Sequence, residues 1–113
     1  MNKRVVIAMV LLLCFALTAC GNSGFSIEGK WKSVGSYGFG QAQPGATVIF
    51  DSNHCNFYSP RDTYSFFKDG DTYRLETTSS LTTDTLTFTV QVIDNDHINV
   101  IYNDKITELE RVQ

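Results

Sequence analysis

Positive charge is scarce in this chain: nine lysines and arginines stand against twelve aspartates and glutamates. Two of the nine, Lys3 and Arg4, lie at the very front, so residues 20–113 hold seven basic groups against twelve acidic ones, a net charge of −5. This balance argues against nucleic acid as a partner, because binding it depends on cations that neutralise phosphates. It argues equally against adhesion to anionic lipid headgroups. Cysteine is sparse as well. Cys14 and Cys20 fall in or just after the apolar front, and Cys55 stands alone behind them, so no disulfide is expected inside the domain. Helical periodicity is missing throughout the region after residue 20, which leaves strands and turns to build whatever core there is.

Long apolar runs are missing too, with one exception. Residues 5–17 are almost wholly apolar, follow Lys3 and Arg4, and lead through small residues to Cys20, the order of parts in a secretory signal. The run is short of the roughly twenty apolar residues that span a bilayer and ends in a processing pattern, so it reads as an address and not as a transmembrane helix. Leu17-Thr18-Ala19-Cys20-Gly21 resembles the lipobox of bacterial lipoproteins. The resemblance implies cleavage before Cys20 and attachment of a diacylglyceryl group, with palmitate among its acyl chains, to the Cys20 thiol. It also implies export and a lipid-anchored position: the outer face of the cytoplasmic membrane in a single-membrane organism, or the outer membrane in a two-membrane one.

Residues 1–19 are therefore expected to be a lipoprotein signal peptide, residues 20–26 a lipidated tether of small and polar residues, and residues 27–113 one domain. Within it, strands are expected at 29–34, 46–51, 54–58, 63–68, 72–78, 85–93, 97–102 and 105–112. The clearest runs from Thr85 to Val92, where polar and apolar residues alternate without a slip, predicting Leu86, Phe88, Val90 and Val92 as core. Short Asp-, Asn- and Gly-bearing connections at 51–53, 68–71, 94–96 and 103–104 predict hairpins, and successive hairpins make a meander. The fold class expected is all-β, a small antiparallel up-and-down barrel of about eight strands, with a β-sandwich as the alternative.

Gly29-Lys30-Trp31 resembles the Gly-x-Trp opening of lipocalin-like barrels, and the ending Leu109-Glu110-Arg111 is similar to their last strand. The resemblance implies that Trp31 plugs the barrel base, that Arg111 lies across it, and that Gly29 permits the close approach. It covers the two ends of the domain. The helix and the greater length of a full lipocalin are lacking, so the domain reads as an abbreviated form. The Gly-rich stretch 35–45 carries Tyr37 and Phe39 and is a candidate ligand-mouth loop over one barrel end. Phe50, Phe57, Tyr64, Phe66, Tyr73, Leu75, Phe88 and Tyr102 are the inward candidates, and so many rings favour a filled interior.

Chemistry is the last thing in short supply. His54 and His97 are the only histidines, both beside hairpin turns. His54 and Cys55 are adjacent on a strand and so face opposite ways, which rejects a Cys–His pair and leaves Cys55 as a small buried hydrophobe. Asp94-Asn95-Asp96-His97 lacks the spacing of a calcium loop or a second cluster for zinc and reads as a turn. Asp62, Asp69, Asp71 and Asp84 fall in turns or connectors, where solvated aspartates belong. No catalytic residue, metal site or cofactor is expected. The function expected is that of a membrane-anchored, extracytoplasmic, non-catalytic binding barrel. Its partners would be the membrane, through the lipid on Cys20, and either a protein or a small apolar ligand. The alternatives are a carrier of an apolar ligand and a structural or envelope-stress lipoprotein.

Overall fold

The computed structural model describes residues 24–112; Leu17, Thr18, Ala19, Cys20 and Gly21 lie outside them. Eight antiparallel strands form a closed barrel in strict sequence order: β1 (Gly29–Ser33), β2 (Thr47–Phe50), β3 (His54–Cys55), β4 (Asp62–Asp69), β5 (Thr72–Thr78), β6 (Thr85–Asp94), β7 (His97–Tyr102) and β8 (Lys105–Arg111). Closure is made by β8 pairing with β1, with Trp31 opposite Arg111 and Ser33 opposite Leu109. This is the up-and-down barrel the alternation predicts, and closing it removes the open sheet edges that invite aggregation.

Local chemistry sets the turns. Asn103 and Asp104 both take positive φ, 49° and 65°, as the two central residues of a two-residue hairpin between β7 and β8. Asn and Asp tolerate that conformation better than other side chains. At the other end Asp51 accepts the backbone N–H of Asn53 at 2.9 Å and of His54 at 2.7 Å, closing the β2–β3 turn with a carboxylate. Those two N–H donors hold the Asp51 carboxyl below its ordinary range.

Alternate residues face inward along the strands. Trp31, Val48, Phe50, Cys55, Phe57, Leu75, Phe88, Val90, Ile98, Val100 and Leu109 are buried, and Tyr64, Phe66, Tyr73, Leu86, Val92 and Tyr102 pack partly buried against them. Aromatic rings therefore fill much of the space the eight strands enclose. Burial pushes the Cys55 thiol up to about 12, so it remains protonated and inert among these rings.

One strand is shorter than the sequence suggests. β3 holds only His54 and Cys55 instead of residues 54–58, and it meets β2 through the single pair Phe50–Cys55. The Asn56 side chain takes over where the ladder stops. Its Oδ1 accepts the Ile49 N–H at 2.7 Å, and its Nδ2 donates to the Thr47 carbonyl at 3.3 Å. An amide side chain can mimic a peptide group in this way, and the main chain is then free to turn inward at Phe57.

Replacing Trp31 by Ala removes the largest buried side chain among the described residues and should cost about 3–5 kcal/mol, as large aromatic truncations in cores do. Urea unfolding of a soluble form of the chain beginning at Ser23 would measure it, and an unchanged midpoint would contradict the packing described.

Candidate functional site

The barrel has two poles with different chemistry. At the first, which carries the turns 51–53, 69–71 and 94–96, the chain entering the barrel is docked across its base. Phe25 packs its ring against Trp31, Phe66 and Tyr73 at centroid distances of 6.2, 6.0 and 6.0 Å. Ile27 is buried and its carbonyl accepts the Trp31 indole N–H at 2.9 Å. Because Phe25 touches strands on opposite sides of the barrel, β1 and β4–β5, it lies over the central axis.

Arg111 binds this pole together. Its guanidinium carbon sits 4.2 Å from the centroid of Trp31 and 5.8 Å from that of Phe25. Nη1 donates to the Glu28 carbonyl, Nη2 to the Ser26 carbonyl and Nε to the Asn95 carbonyl, each at 2.9 Å. One planar cation thus joins the entering chain, the last strand and the β6–β7 turn, and Asp96 Oδ1 at 3.5 Å offsets its charge. Gly29 has a φ of +133°, and a Cβ there would stand 2.8 Å from Arg111 Nη1. A larger residue would meet both obstacles. The structure therefore brings Gly29, Trp31 and Arg111 into one cluster and adds Phe25, Ser26 and Glu28. The resemblance has no motif for these three; the isolated Phe25 in a polar stretch is their one signal in the sequence.

Beside Arg111, His97 lies between two carboxylates, with Nδ1 2.8 Å from Asp94 Oδ1 and Nε2 3.3 Å from Glu110 Oε2. The hydrogen bond to Asp94 is the main reason the imidazole is held above its ordinary value of 6.5, and the same bond depresses the Asp94 carboxyl. The histidine is exposed and opens β7 beside the turn.

The second pole carries the loops 34–46, 56–61 and 79–84. Phe39 enters the barrel mouth from the Gly-rich loop, 5.2 Å from the centroids of both Phe88 and Tyr102 and 6.0 Å from Phe57. Its N–H donates to Thr107 Oγ1 at 3.1 Å. The loop is tied down behind it: Gln41 N–H donates to the Phe57 carbonyl at 2.9 Å, and Gln43 Nε2 to the Gly38 carbonyl at 2.9 Å. A Cβ on Gly38 would fall 1.8 Å from the Ala42 carbonyl oxygen, so that turn can be closed by glycine alone. Tyr37 stays at the surface with Lys105 Nζ 5.5 Å from its ring centroid. The two mouth-loop candidates therefore part company: Phe39 plugs and Tyr37 faces solvent.

Asp62 departs from the sequence expectation. It is wholly buried, not solvated. Its carboxylate accepts the N–H of Tyr58 at 2.7 Å and of Ser59 at 3.0 Å, together with the Ser59 hydroxyl. Ser79 Oγ donates to Ser59 Oγ at 3.2 Å and accepts the Leu81 N–H at 3.1 Å, linking the 56–61 and 79–84 loops. Donors from one tight turn compensate the burial of the carboxyl group, which spacing alone does not reveal.

Among the described residues, no group of three or more His, Cys, Asp or Glu side chains is disposed to hold a metal ion. An open groove lies at the base between Ser26–Glu28 and Tyr64–Phe66. No family model, curated protein or solved structure matches the chain.

The His97 imidazole should titrate above 6.5, and Asp94→Asn should bring it back toward that value, as followed by NMR of the ring protons. A folded-state value above the unfolded one means the contribution is complete below about pH 6.5 and is lost as pH rises through the folded value. A His97 midpoint at or below 6.5 in the parent protein would refute the pairing.

Proposed function

We propose that this chain is an exported lipoprotein, anchored through acyl groups on Cys20, whose barrel is a non-catalytic module that binds a protein partner through its outer surface. The anchor rests on the completeness of the signal: Lys3 and Arg4, the apolar run, and Leu17-Thr18-Ala19-Cys20-Gly21. Binding by the outer surface and not by the interior rests on one observation. Phe39 sits in the barrel mouth where a small ligand would enter, above a core already occupied by Phe57, Phe88 and Tyr102. Small barrels of eight strands have room for their own side chains or for one ligand, and here the rings take the room.

No reaction is assigned to the barrel. Cys55 is buried and protonated, Asp62 is saturated by donors from its own turn, and His97 is engaged by two carboxylates. What remains for function is shape, exposed side chains and position. The loop pole offers Tyr37 and, in the 79–84 loop, Leu81, which is 73 % exposed. Large apolar side chains held outward by tied-down loops are suited to protein contact, because little ordering entropy remains to be lost.

Replacing Cys20 by Ala should abolish incorporation of labelled palmitate and release the protein from the membrane fraction. Label retained in the Cys20→Ala variant would refute the anchor. In a parallel experiment, a soluble form of the chain beginning at Ser23 is purified from the cells that express it and weighed by native mass spectrometry, which should return the bare polypeptide mass. A stoichiometric small molecule of apolar character would favour the carrier reading instead.

A further inference from the structure

The docked segment at the base fixes more than the barrel. We infer that the bilayer holding the lipid of Cys20 is the neighbour of the barrel's base, and that the loop pole carrying Phe39, Tyr37 and Leu81 is held away from it. The inference rests on the anchoring reading above and deepens it.

Three observations carry it. The first is the length of the leash. Phe25, Ser26, Ile27 and Glu28 are all engaged at the base by the aromatic cluster, the Trp31 indole and the Arg111 guanidinium. Only five residue steps separate Cys20 from Phe25. Fully extended, they span at most about 18 Å. Strand β6 has ten residues, and a strand of that length, tilted as barrel strands are, rises about 25 Å along the axis. The leash is thus shorter than the barrel, and an inverted arrangement with the loop pole on the lipid is out of reach.

The second is where the leash leaves. Phe25 touches Trp31 on β1, Phe66 on β4 and Tyr73 on β5, so the pull is applied near the axis at the base. A short attachment near the centre of one end keeps that end the nearest to the bilayer. Side-on contact would require most of the leash to run radially across the base before turning down to the lipid.

The third is charge. At the base Asp69, Asp94 and Asp96 pair with Arg74, His97 and Arg111, and Asp51 and Asp71 stand against Lys68, so this end has no excess of positive charge to draw it to anionic headgroups, and the lipid and the leash hold it near the bilayer.

The test uses the full lipidated chain in phosphatidylcholine vesicles that contain a trace of headgroup-labelled acceptor lipid. A donor dye is placed at the base through Ser52→Cys or at the loop pole through Ser80→Cys. Cys55 is buried and protonated and stays unlabelled. Energy transfer from the Ser52→Cys site should exceed that from the Ser80→Cys site at least two-fold. Inserting twenty Gly and Ser residues between Ser23 and Gly24 should bring the two efficiencies together. Equal transfer from both sites of a lipidated chain, or greater transfer from the loop pole, would overturn the orientation while leaving the anchor standing. A chain that gains no acyl mass on Cys20 and does not float with the vesicles would overturn the anchor and the orientation together.

Discussion

The stacking of Arg111 on Trp31 is the constraint on which the rest of this barrel depends. A guanidinium over an indole contributes about 0.5–2 kcal/mol, depending on how far it is desolvated. The greater effect is geometric. The same planar cation donates to three backbone carbonyls from two separate parts of the chain, the entering segment and the β6–β7 turn. Hydrogen bonds to a charged group each contribute about 1.5–3 kcal/mol when well formed. Closing an up-and-down barrel requires the first and last strands to find each other across the whole sequence, so the loop-closure entropy is large and comes late. Arg111 offsets it at the place where the two ends meet. Lysine there would keep the charge and lose the fork, the stack and two of the three carbonyls.

The two poles are closed by different physics. The base is sealed by aromatic rings and a cation, and the loop pole by one ring, Phe39, and a set of polar turns. Asp62 organises the second set: it is buried and saturated by its own turn, and through Ser59 and Ser79 it couples two loops that have no strand pairing between them. The wall between the poles is uneven. Pairing is extensive from β4 round to β8, with one register shift at Val92–Asp94 in the β6–β7 ladder, while β2 and β3 share a single register pair and the Asn56 amide. Local opening belongs at that seam, where backbone hydrogen bonds are fewest. The loops of the second pole and the weak seam are neighbours through residues 56–61.

Strands β4–β8 are legible in the sequence because alternation and turn chemistry agree there. Thr85 to Val92 alternates without a slip, and Asp-Gly and Asn-Asp pairs mark where the chain reverses. Strand β3 is less legible, since the apolar spacing of Cys55 and Phe57 continues after backbone pairing has stopped, and a side-chain amide standing in for a peptide group leaves no periodic trace. The Trp31–Arg111 contact is visible only through resemblance; nothing in the spacing of residues eighty apart points to it. Asp62 looks like any turn aspartate, because local sequence does not show whether its surroundings supply donors. Phe39 carries a signal, since an aromatic ring among glycines gains from burial, but whether it covers a cavity or fills one depends on the rings beneath it.

The base behaves as one locked unit if these contacts act together, with the Trp31 indole N–H buried and donated to the Ile27 carbonyl beneath the Arg111 stack. Hydrogen exchange of that single indole proton tests this most directly. If the entering segment, Trp31 and Arg111 open only with the whole barrel, the proton should exchange at the rate set by global unfolding, in step with the core amides of β6. Exchange within the dead time of the measurement, while those amides remain protected, would show that the base is not locked and that the barrel is closed by something else.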